Sequence, residues 1–207
     1  LQLLPSVTLY TPDADLTDNE KVIRPGCLVA EVWFARWCVL FLQDKSEILS
    51  LFSFSSHIDS KVTSLLGVLS KEGILILGVH IRRGDYATWN DGRFLYDDKQ
   101  MINIIRQFIL LHPNKRVVIY ICGNDPKLNK QAYSEAFGQE NVVFPQGNPG
   151  EDLCLLSHCD YLIGPPSTFT LVASMYRNTP LYWIKDINKP LQEDCFDYFD
   201  NLFRNIL

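Results

Sequence analysis

The sequence predicts an open α/β fold, in which a largely parallel sheet is flanked by helices. Continuous apolar runs of strand length recur between residues 74 and 184, and helical patterns separate them. Such runs are typical of strands buried on both faces, and their alternation with helices is typical of right-handed crossovers in a parallel sheet. With 207 residues, of which 47% are hydrophobic, the chain is long enough for a sizeable core.

Strands and helices are predicted in alternation along this region. The predicted strands cover residues 74–81, 116–122, 141–144, 160–163 and 181–184. The predicted helices cover residues 97–112, 126–138, 150–159, 168–176 and 191–205. Met101, Ile105 and Phe108 show the helical spacing in the first of these helices, and Gly138 is expected to close the second as a C-cap.

Residues 1–72 lack this regularity, so we expect an irregular and helical N-terminal segment that packs on an α/β domain over residues 73–207. The apolar stretch 33–54 is expected to pack on another part of the structure. Its residues 33–42 are expected to cover the sheet, with docking on a membrane or a second subunit as the alternative. No apolar run reaches the roughly 18 residues of a membrane-spanning helix. The start of the chain also lacks the basic region and cleavage site of a signal peptide, so we expect a cytoplasmic protein.

The charge balance argues against a nucleic-acid partner. Lys and Arg together number 19 and Asp and Glu 24, which gives a net charge of −5, whereas nucleic-acid binders usually carry a basic surplus. An anionic ligand would therefore need positive charge concentrated at its site. The six cysteines include no pair with CxxC spacing, so we expect reduced, buried thiols rather than a disulfide framework or a zinc site.

Polar and glycine-rich segments follow four of the predicted strands. They read HIRRGDY at 80–86, CGNDP at 122–126, FPQGN at 144–148 and GPPSTFT at 164–170. Ligands of open α/β sheets bind outside the carboxyl ends of the strands, near a switch in strand order. The sequence therefore predicts a ligand site at this edge of the sheet.

The segment after the first strand is the strongest candidate for an anion site. His80 and Arg82 are two residues apart and share one face of a strand. Arg82 is expected to bind a phosphate through its guanidinium fork, and His80 to add a second hydrogen bond unless it is a satisfied core histidine. Arg83 either binds the same ligand or pairs with Asp85 or an element below the sheet. Asp85 is expected to orient one of the two guanidinium groups.

The segment after the fourth strand predicts a second half of this site. Ser167 is a natural helix N-cap, and Thr168, Phe169 and Thr170 fill the first turn of the helix. The N–H groups and the dipole at such a terminus attract anions, and the hydroxyl groups add donors. The alternative is an ordinary capped helix without a ligand.

Acidic and amide side chains at the other strand ends permit two interpretations. Asn124 and Asp125 could accept hydrogen bonds from guanine or ribose, or could cap a helix that continues with Pro126. Glu151 and Asp152 open another helix, where acidic residues stabilise the helix dipole in any case.

Known phosphate and metal motifs are missing from the sequence. It contains no GxxxxGK[ST] loop, no GxGxxG after a strand, no HExxH and no Asp-x-Asp at a strand end. Arginines and a helix terminus neutralise a diphosphate without a metal. The pattern therefore favours a metal-independent sugar-nucleotide site with no cofactor.

Two segments carry a resemblance to a known family. The residues HIRRGDY at 80–86 resemble the HxRRxD motif of fucosyltransferases. Residues 151–153 (EDL) and 159–170 (CDYLIGPPSTFT) resemble a second signature of the α-1,2-fucosyltransferase family, glycosyltransferase family 11, in its bacterial branch. The resemblance covers residues 73–181, about half of the chain.

This resemblance implies the Rossmann-like, donor-binding half of a GT-B glycosyltransferase. It implies an inverting, metal-independent transfer of fucose from GDP-fucose to a galactoside hydroxyl in α-1,2 linkage. Arg82 would bind the β-phosphate and stabilise the leaving GDP, with His80 beside the diphosphate. Arg83 and Asp85 would organise the site, and Asp125 would lie near guanine or ribose.

The second signature of the family maps onto the turn that opens the helix at 168–176. Its Ser/Thr-Phe-Ser/Thr residues correspond to Thr168, Phe169 and Thr170, and Thr170 would lie near the diphosphate. A glycan acceptor is the implied partner, and peripheral association with the inner face of the membrane is an open possibility.

The chain departs from the family in ways that leave other functions open. It lacks the GGLGNQ-type loop of the family's N-terminal half, and the nearest candidates for a catalytic base are Asp85 and Asp91. One alternative is a catalytically silent GDP-sugar-binding domain. Another is an adhesion module that presents the tripeptide of residues 83–85, although a tripeptide directly after a buried strand is poorly placed for that role.

Overall fold

The computed structural model describes residues 38–67 and 73–205. The chain divides into two compact units, Leu1–Ser53 and Phe54–Leu207. In the first unit, the described residues form helices α1 (Cys38–Gln43) and α2 (Lys45–Leu51), which agrees with helical spacing in the apolar stretch. Residues 33–37 of that stretch lie outside the described residues. The predicted division of the chain at residue 73 stays a prediction.

The second unit contains a sheet of five parallel strands in the order β3-β2-β1-β4-β5. The strands are β1 (Ile74–Ile81), β2 (Arg116–Gly123), β3 (Val142–Val143), β4 (Tyr161–Gly164) and β5 (Leu181–Trp183). This confirms the predicted open parallel α/β sheet. The order of the strands along the chain reverses between β1 and β4, which are neighbours through pairs such as Val79 with Ile163.

Six helices accompany the sheet in the described part of this unit. They are α3 (Ser56–Gly67), α4 (Asp98–Leu111), α5 (Lys130–Phe137), α6 (Pro149–Ser157), α7 (Thr168–Arg177) and α8 (Phe199–Arg204). Helix α4 begins with a capping box, in which Asp97 accepts from the Gln100 backbone and Gln100 accepts from the Asp97 backbone. No helix in the described residues is both long and apolar enough to cross a membrane.

The core lies on both faces of β1, as its apolar run predicts. On one face, Leu77 and Val79 are fully buried beside Ile119 of β2 and Ile163 of β4. On the other face, Gly78 packs against Leu162 and Leu156, which are also fully buried. At Gly78, a Cβ atom would lie 2.7 Å from Leu162 Cδ2, so glycine permits the close packing there. Cys122, Cys154 and Cys159 are free and buried thiols, as predicted, whereas the free thiol of Cys195 is partly exposed.

Two predicted helix boundaries are wrong. Helix α5 begins at Lys130 rather than at 126, because an Asp125 oxygen accepts from the Lys127 backbone at 2.8 Å and Asn129 caps the helix instead. Asn124 and Asp125 therefore do not form the predicted N-cap.

The last helix is shorter than predicted, since α8 covers only the end of the region 191–205. Residues Glu193–Cys195 form a 3-10 turn. Asp197 then pairs with Leu181 in an antiparallel bridge, and this bridge holds the chain beside β5 and delays the helix.

Candidate functional site

The segments that follow β1 and β4 meet at the point where the strand order reverses. In open α/β sheets this is the position of the ligand crevice. The tie between the two segments is direct, since the Tyr86 hydroxyl donates to the Pro166 carbonyl. The structure therefore brings together the two segments that the sequence analysis singled out.

His80 lies buried near the end of β1 and faces the first turn of α7. Its ring centroid is 5.1 Å from that of Phe169. Burial, and then the nearby Arg82, lower the pKa of His80 to about 4, so the ring is neutral at pH 7. Its buried Nδ1 has no hydrogen-bond partner within the described part of the chain. At Gly164 a Cβ atom would lie 2.9 Å from the His80 carbonyl oxygen, so glycine is needed where β4 approaches.

Arg82 lies beside His80 with a partly free guanidinium group. Its side chain is 35% exposed, and Nη2 donates to Asp85 at 3.0 Å. The guanidinium carbon lies 5.7 Å from the centroid of the Tyr86 ring. Arg82 Nε is buried and has no hydrogen-bond partner among the described residues. Asp85 thus orients one guanidinium group, as the sequence predicts, and that group belongs to Arg82.

Arg83 has a different environment on the β2 side of β1. Its Nη2 donates to Asp98 at 2.5 Å, its Nη1 to Asp125 at 3.0 Å and its Nε to the Tyr96 carbonyl at 3.0 Å. Burial opposes its charge, but the hydrogen bonds to Asp98 and Asp125 outweigh it and raise the pKa of Arg83. Of the two pairings predicted as alternatives to ligand binding, the one with Asp85 is wrong, because Arg83 pairs with Asp98 and Asp125. These contacts favour an organising role, and substrate binding by Arg83 stays a prediction.

The network around Arg83 includes two residues that sequence reasoning missed. Asp98, in the first turn of α4, also accepts from the Tyr133 hydroxyl at 3.0 Å. Tyr133, in α5, is the second missed residue. Asp125 belongs to the same network, and its pKa is lowered first by the Lys127 backbone N–H and then by Arg83. No signal in the sequence links these residues, because the helix dipole explains an acid at position 98 and an apolar helix face explains Tyr133.

Asn124 and Asp125 both accept hydrogen bonds from protein groups in this network. The Asn124 side chain accepts from the Arg83 backbone N–H at 3.2 Å. Asp125 uses both of its oxygens, one for Arg83 and one for the turn at Lys127. Their contact with guanine or ribose stays a prediction. The Arg83 side chain is only 15% exposed, which also argues against presentation of residues 83–85 to an adhesion receptor.

The first turn of α7 is a capped terminus, as predicted. The Ser167 hydroxyl accepts from the Phe169 backbone at 3.2 Å. Thr170 is fully buried, donates to the Ser167 carbonyl at 3.0 Å and accepts from Trp183 Nε1 at 3.1 Å. Its single hydroxyl hydrogen is therefore already engaged, which is the physical reason against the predicted donation to a phosphate. Thr168, by contrast, is exposed.

A third unsatisfied atom lies at the same edge of the sheet, in the first turn of α6. Asp152 Oδ1 is buried and without a hydrogen-bond partner in the described residues. Burial raises the pKa of this carboxyl, and a hydrogen bond with the buried Cys122 thiol opposes that shift in part. The neighbouring Glu151 is paired with Lys61 at 2.8 Å. At Gly147 a Cβ atom would lie 3.2 Å from Asp152 Oδ1, so glycine keeps space beside the carboxylate. From the sequence, Asp152 is expected only to stabilise a helix dipole, and its burial is what marks it as a candidate site residue.

One group of side chains has the composition of a metal site. Ligand atoms of Asp59, Cys154 and His158 lie within 4.8 Å of one another. However, Arg177 Nη2 lies 2.5 Å from His158 Nε2, where a cation would bind. Burial raises the pKa of the Cys154 thiol to about 11, which disfavours the thiolate that a metal needs. The group also lies towards the C-terminal ends of α6 and α7, away from the crevice.

Comparisons with known proteins bear on the fold. No family model matches the chain, and no curated protein matches it. The crystal structure of fucosyltransferase NodZ from Bradyrhizobium is similar, with 22% identity and a TM-score of 0.46 over 63% of this chain and 45% of that chain. NodZ α-1,6-fucosyltransferase soaked with GDP-fucose has 20% identity and a TM-score of 0.47 over 70% of this chain and 49% of that one.

A third similar structure is POFUT1 in complex with GDP, with 11% identity and a TM-score of 0.46 over 60% of this chain and 45% of that chain. This chain thus spans less than half the length of each of the three proteins. None of the three is named as an α-1,2-fucosyltransferase.

Proposed function

We propose that this chain binds a nucleoside diphosphate sugar in the crevice between β1 and β4 and takes part in transfer of the sugar. One observation carries the proposal. Of the four buried side-chain nitrogen and oxygen atoms without a hydrogen-bond partner in the described residues, three lie at the carboxyl edge of the sheet. These are His80 Nδ1, Arg82 Nε and Asp152 Oδ1. Buried polar groups are normally paired, so a cluster of unpaired ones at a ligand edge points to a ligand.

The two nitrogen atoms suit a diphosphate. Arg82 carries a positive charge oriented by Asp85, and the N-terminus of α7 lies across the crevice from it. A guanidinium and a helix terminus provide donors fixed in place before a phosphate arrives. When the sugar leaves, negative charge grows on the diphosphate, and these donors stabilise it most in the transition state. This supports a donor-binding and catalytic role for Arg82 that requires no metal.

The carboxylate suits a nucleobase. Asp152 offers an acceptor oxygen in a partly buried place, where it would receive the N–H groups of a base such as guanine. Each Asp125 oxygen already accepts one hydrogen bond, from Arg83 or from the Lys127 backbone, and keeps a second lone pair for a ribose or guanine donor. Together with the HxRRxD resemblance, these contacts support GDP-fucose as the donor substrate.

The finer parts of the proposal rest on the resemblance. We propose an inverting, α-1,2 transfer to a galactoside hydroxyl on the donor-binding half of a GT-B enzyme. The free, buried thiols of Cys122, Cys154 and Cys159 fit a reducing compartment such as the cytoplasm, and we propose its membrane face as the alternative place of action.

A silent GDP-sugar-binding domain is the second candidate, and one observation favours it. Neither predicted base is held in place as a base should be, because Asp85 is paired with Arg82 and Asp91 is exposed in the following loop, with φ 55°. Incubation with radiolabelled GDP-fucose and methyl β-galactoside separates the candidates. Label in the disaccharide supports the transferase, and binding of GDP-fucose without transfer supports the silent domain.

Calorimetric titration of GDP in the presence of EDTA tests the proposed site. We expect the wild type to bind and Arg82→Ala to bind at least about tenfold more weakly, the scale of a lost charge-assisted hydrogen bond. Arg106→Ala is the matched control, because this arginine is exposed on helix α4 and lies outside the segments that follow β1 and β4. No binding by the wild type, or equal binding by Arg82→Ala, would overturn the proposal.

A further inference from the structure

Trp89 is a large aromatic side chain held in place with part of its surface open to solvent. It is 40% exposed. Its ring centroid lies 4.8 Å from that of Tyr86 and 5.5 Å from that of Phe94, and both of those residues are buried. Trp89 is therefore supported from beneath rather than loosely attached.

The surrounding loop fixes this position further. Tyr86 is tied to the Pro166 carbonyl through its hydroxyl. Directly after Trp89 the backbone adopts left-handed conformations, with φ 50° at Asn90, 55° at Asp91 and 73° at Gly92. Asn, Asp and Gly are the residues that tolerate this conformation best. The chain thus has the residues needed to turn sharply there and to keep the indole at the surface.

Trp89 also lies next to the crevice. The Tyr86 ring contacts both Arg82 and Trp89. The guanidinium carbon of Arg82 lies 5.7 Å from the Tyr86 ring centroid, and the Trp89 ring centroid lies 4.8 Å from it. The side chains that follow Trp89, those of Asn90, Asp91 and Arg93, are exposed and polar. An exposed aromatic ring bordered by hydrogen-bonding groups matches a sugar, which presents an apolar C–H face and a rim of hydroxyl groups.

We propose that Trp89 is the stacking platform for the acceptor sugar, which is the β-galactoside of the proposed function. The axial 4-hydroxyl of galactose leaves the C–H groups at positions 3, 4 and 5 together on one face, which suits an indole. Because the ring is already held by its neighbours, stacking costs little side-chain entropy. This inference rests on the proposed function, since it supplies the second substrate of the same crevice.

The test uses methyl β-galactopyranoside, titrated into the protein with and without saturating GDP and followed by saturation-transfer NMR. We expect the wild type to bind the sugar. Trp89→Ala should bind it at least about fivefold more weakly, and Trp89→Phe should keep most of the affinity. GDP affinity, measured by calorimetry, should be unchanged in both variants, which also shows that they fold. Tyr198→Ala is the control, because Tyr198 is 48% exposed but adjoins the Asp197 bridge to the first residue of β5.

The two ligands make the outcomes separable. Equal sugar binding by Trp89→Ala and the wild type, or no sugar binding by a wild type that binds GDP, overturns the platform. Failure of the wild type to bind GDP overturns the proposed function. The titration without GDP still reports in that case whether Trp89 holds the sugar.

Discussion

Arg82 and Arg83 are adjacent in the sequence but have opposite environments. Arg83 points to the β2 side, where Asp98, Asp125 and the Tyr96 carbonyl occupy it. Arg82 lies on the β4 side, paired only with exposed Asp85 and with a buried Nε that has no partner in the described residues. The two sides of β1 thus differ in whether their polar groups are satisfied.

This difference separates structure from function along one edge of the sheet. A buried polar group without a partner costs stability, so it persists when something other than the fold requires it. On the Arg83 side, the satisfied side, the polar groups are paired within the protein, and these pairs hold the loops after β1 and β2 in place. On the Arg82 side, the open side, hydrogen-bonding groups of the crevice lack partners in the described residues and are available to a ligand.

The largest expected effect comes from removing the charge at the centre of the satisfied side. Arg83→Ala should lower the free energy of unfolding by about 3–5 kcal/mol, because Asp98 and Asp125 would remain partly buried without their counter-charge. Arg82→Ala should cost less than about 1 kcal/mol, since its one ion pair is exposed. Urea unfolding of both variants measures the contrast. Equal losses would show that the two sides do not differ as described.

The next effect concerns the pH dependence of His80 on the open side. Its pKa is about 4 in the folded protein and about 6.5 when unfolded. Below pH 6.5 the unfolded chain therefore binds a proton that the folded protein does not, and stability falls as the pH drops towards 4. The loss approaches about 3 kcal/mol over this window.

His80→Gln removes this titration and serves as the comparison. The difference in unfolding free energy between wild type and variant should be constant above pH 7 and should shift in favour of the variant towards pH 4. Other titrating groups cancel in that difference. A difference that does not change with pH would show that His80 is not a buried neutral histidine.

The open side could be predicted from the sequence more completely than the satisfied side. His80 and Arg82 follow from strand alternation, and the Ser167 cap follows from the residue before the helix. All three are local signals that depend on neighbours along the chain. They sufficed to place the crevice at the meeting of two strand ends.

The satisfied side depends on contacts between distant residues, which no local pattern encodes. Asp98 and Asp125 lie 15 and 42 residues from Arg83. The same limit explains the Asn124–Asp125 error, because Asp125 favours a helix cap locally and is diverted by Arg83 and the turn at Lys127. Asp152 escaped notice because burial, which the sequence does not state, is what makes it unusual.

The smallest effect concerns two threonines in the first turn of α7. They differ as the two arginines do, because Thr170 is paired within the protein and Thr168 is exposed. Thr170→Val should cost about 1–2 kcal/mol of stability, because the Ser167 carbonyl and Trp183 Nε1 both lose a partner. Thr168→Val, at an exposed position, should leave stability within about 0.5 kcal/mol. GDP titration should show the reverse order, with Thr168→Val weakening binding a few-fold and Thr170→Val leaving it unchanged once folded. If Thr170→Val alone weakened GDP binding, the hydroxyl would exchange its internal partners for the ligand, and the crevice would rearrange on binding instead of being preformed.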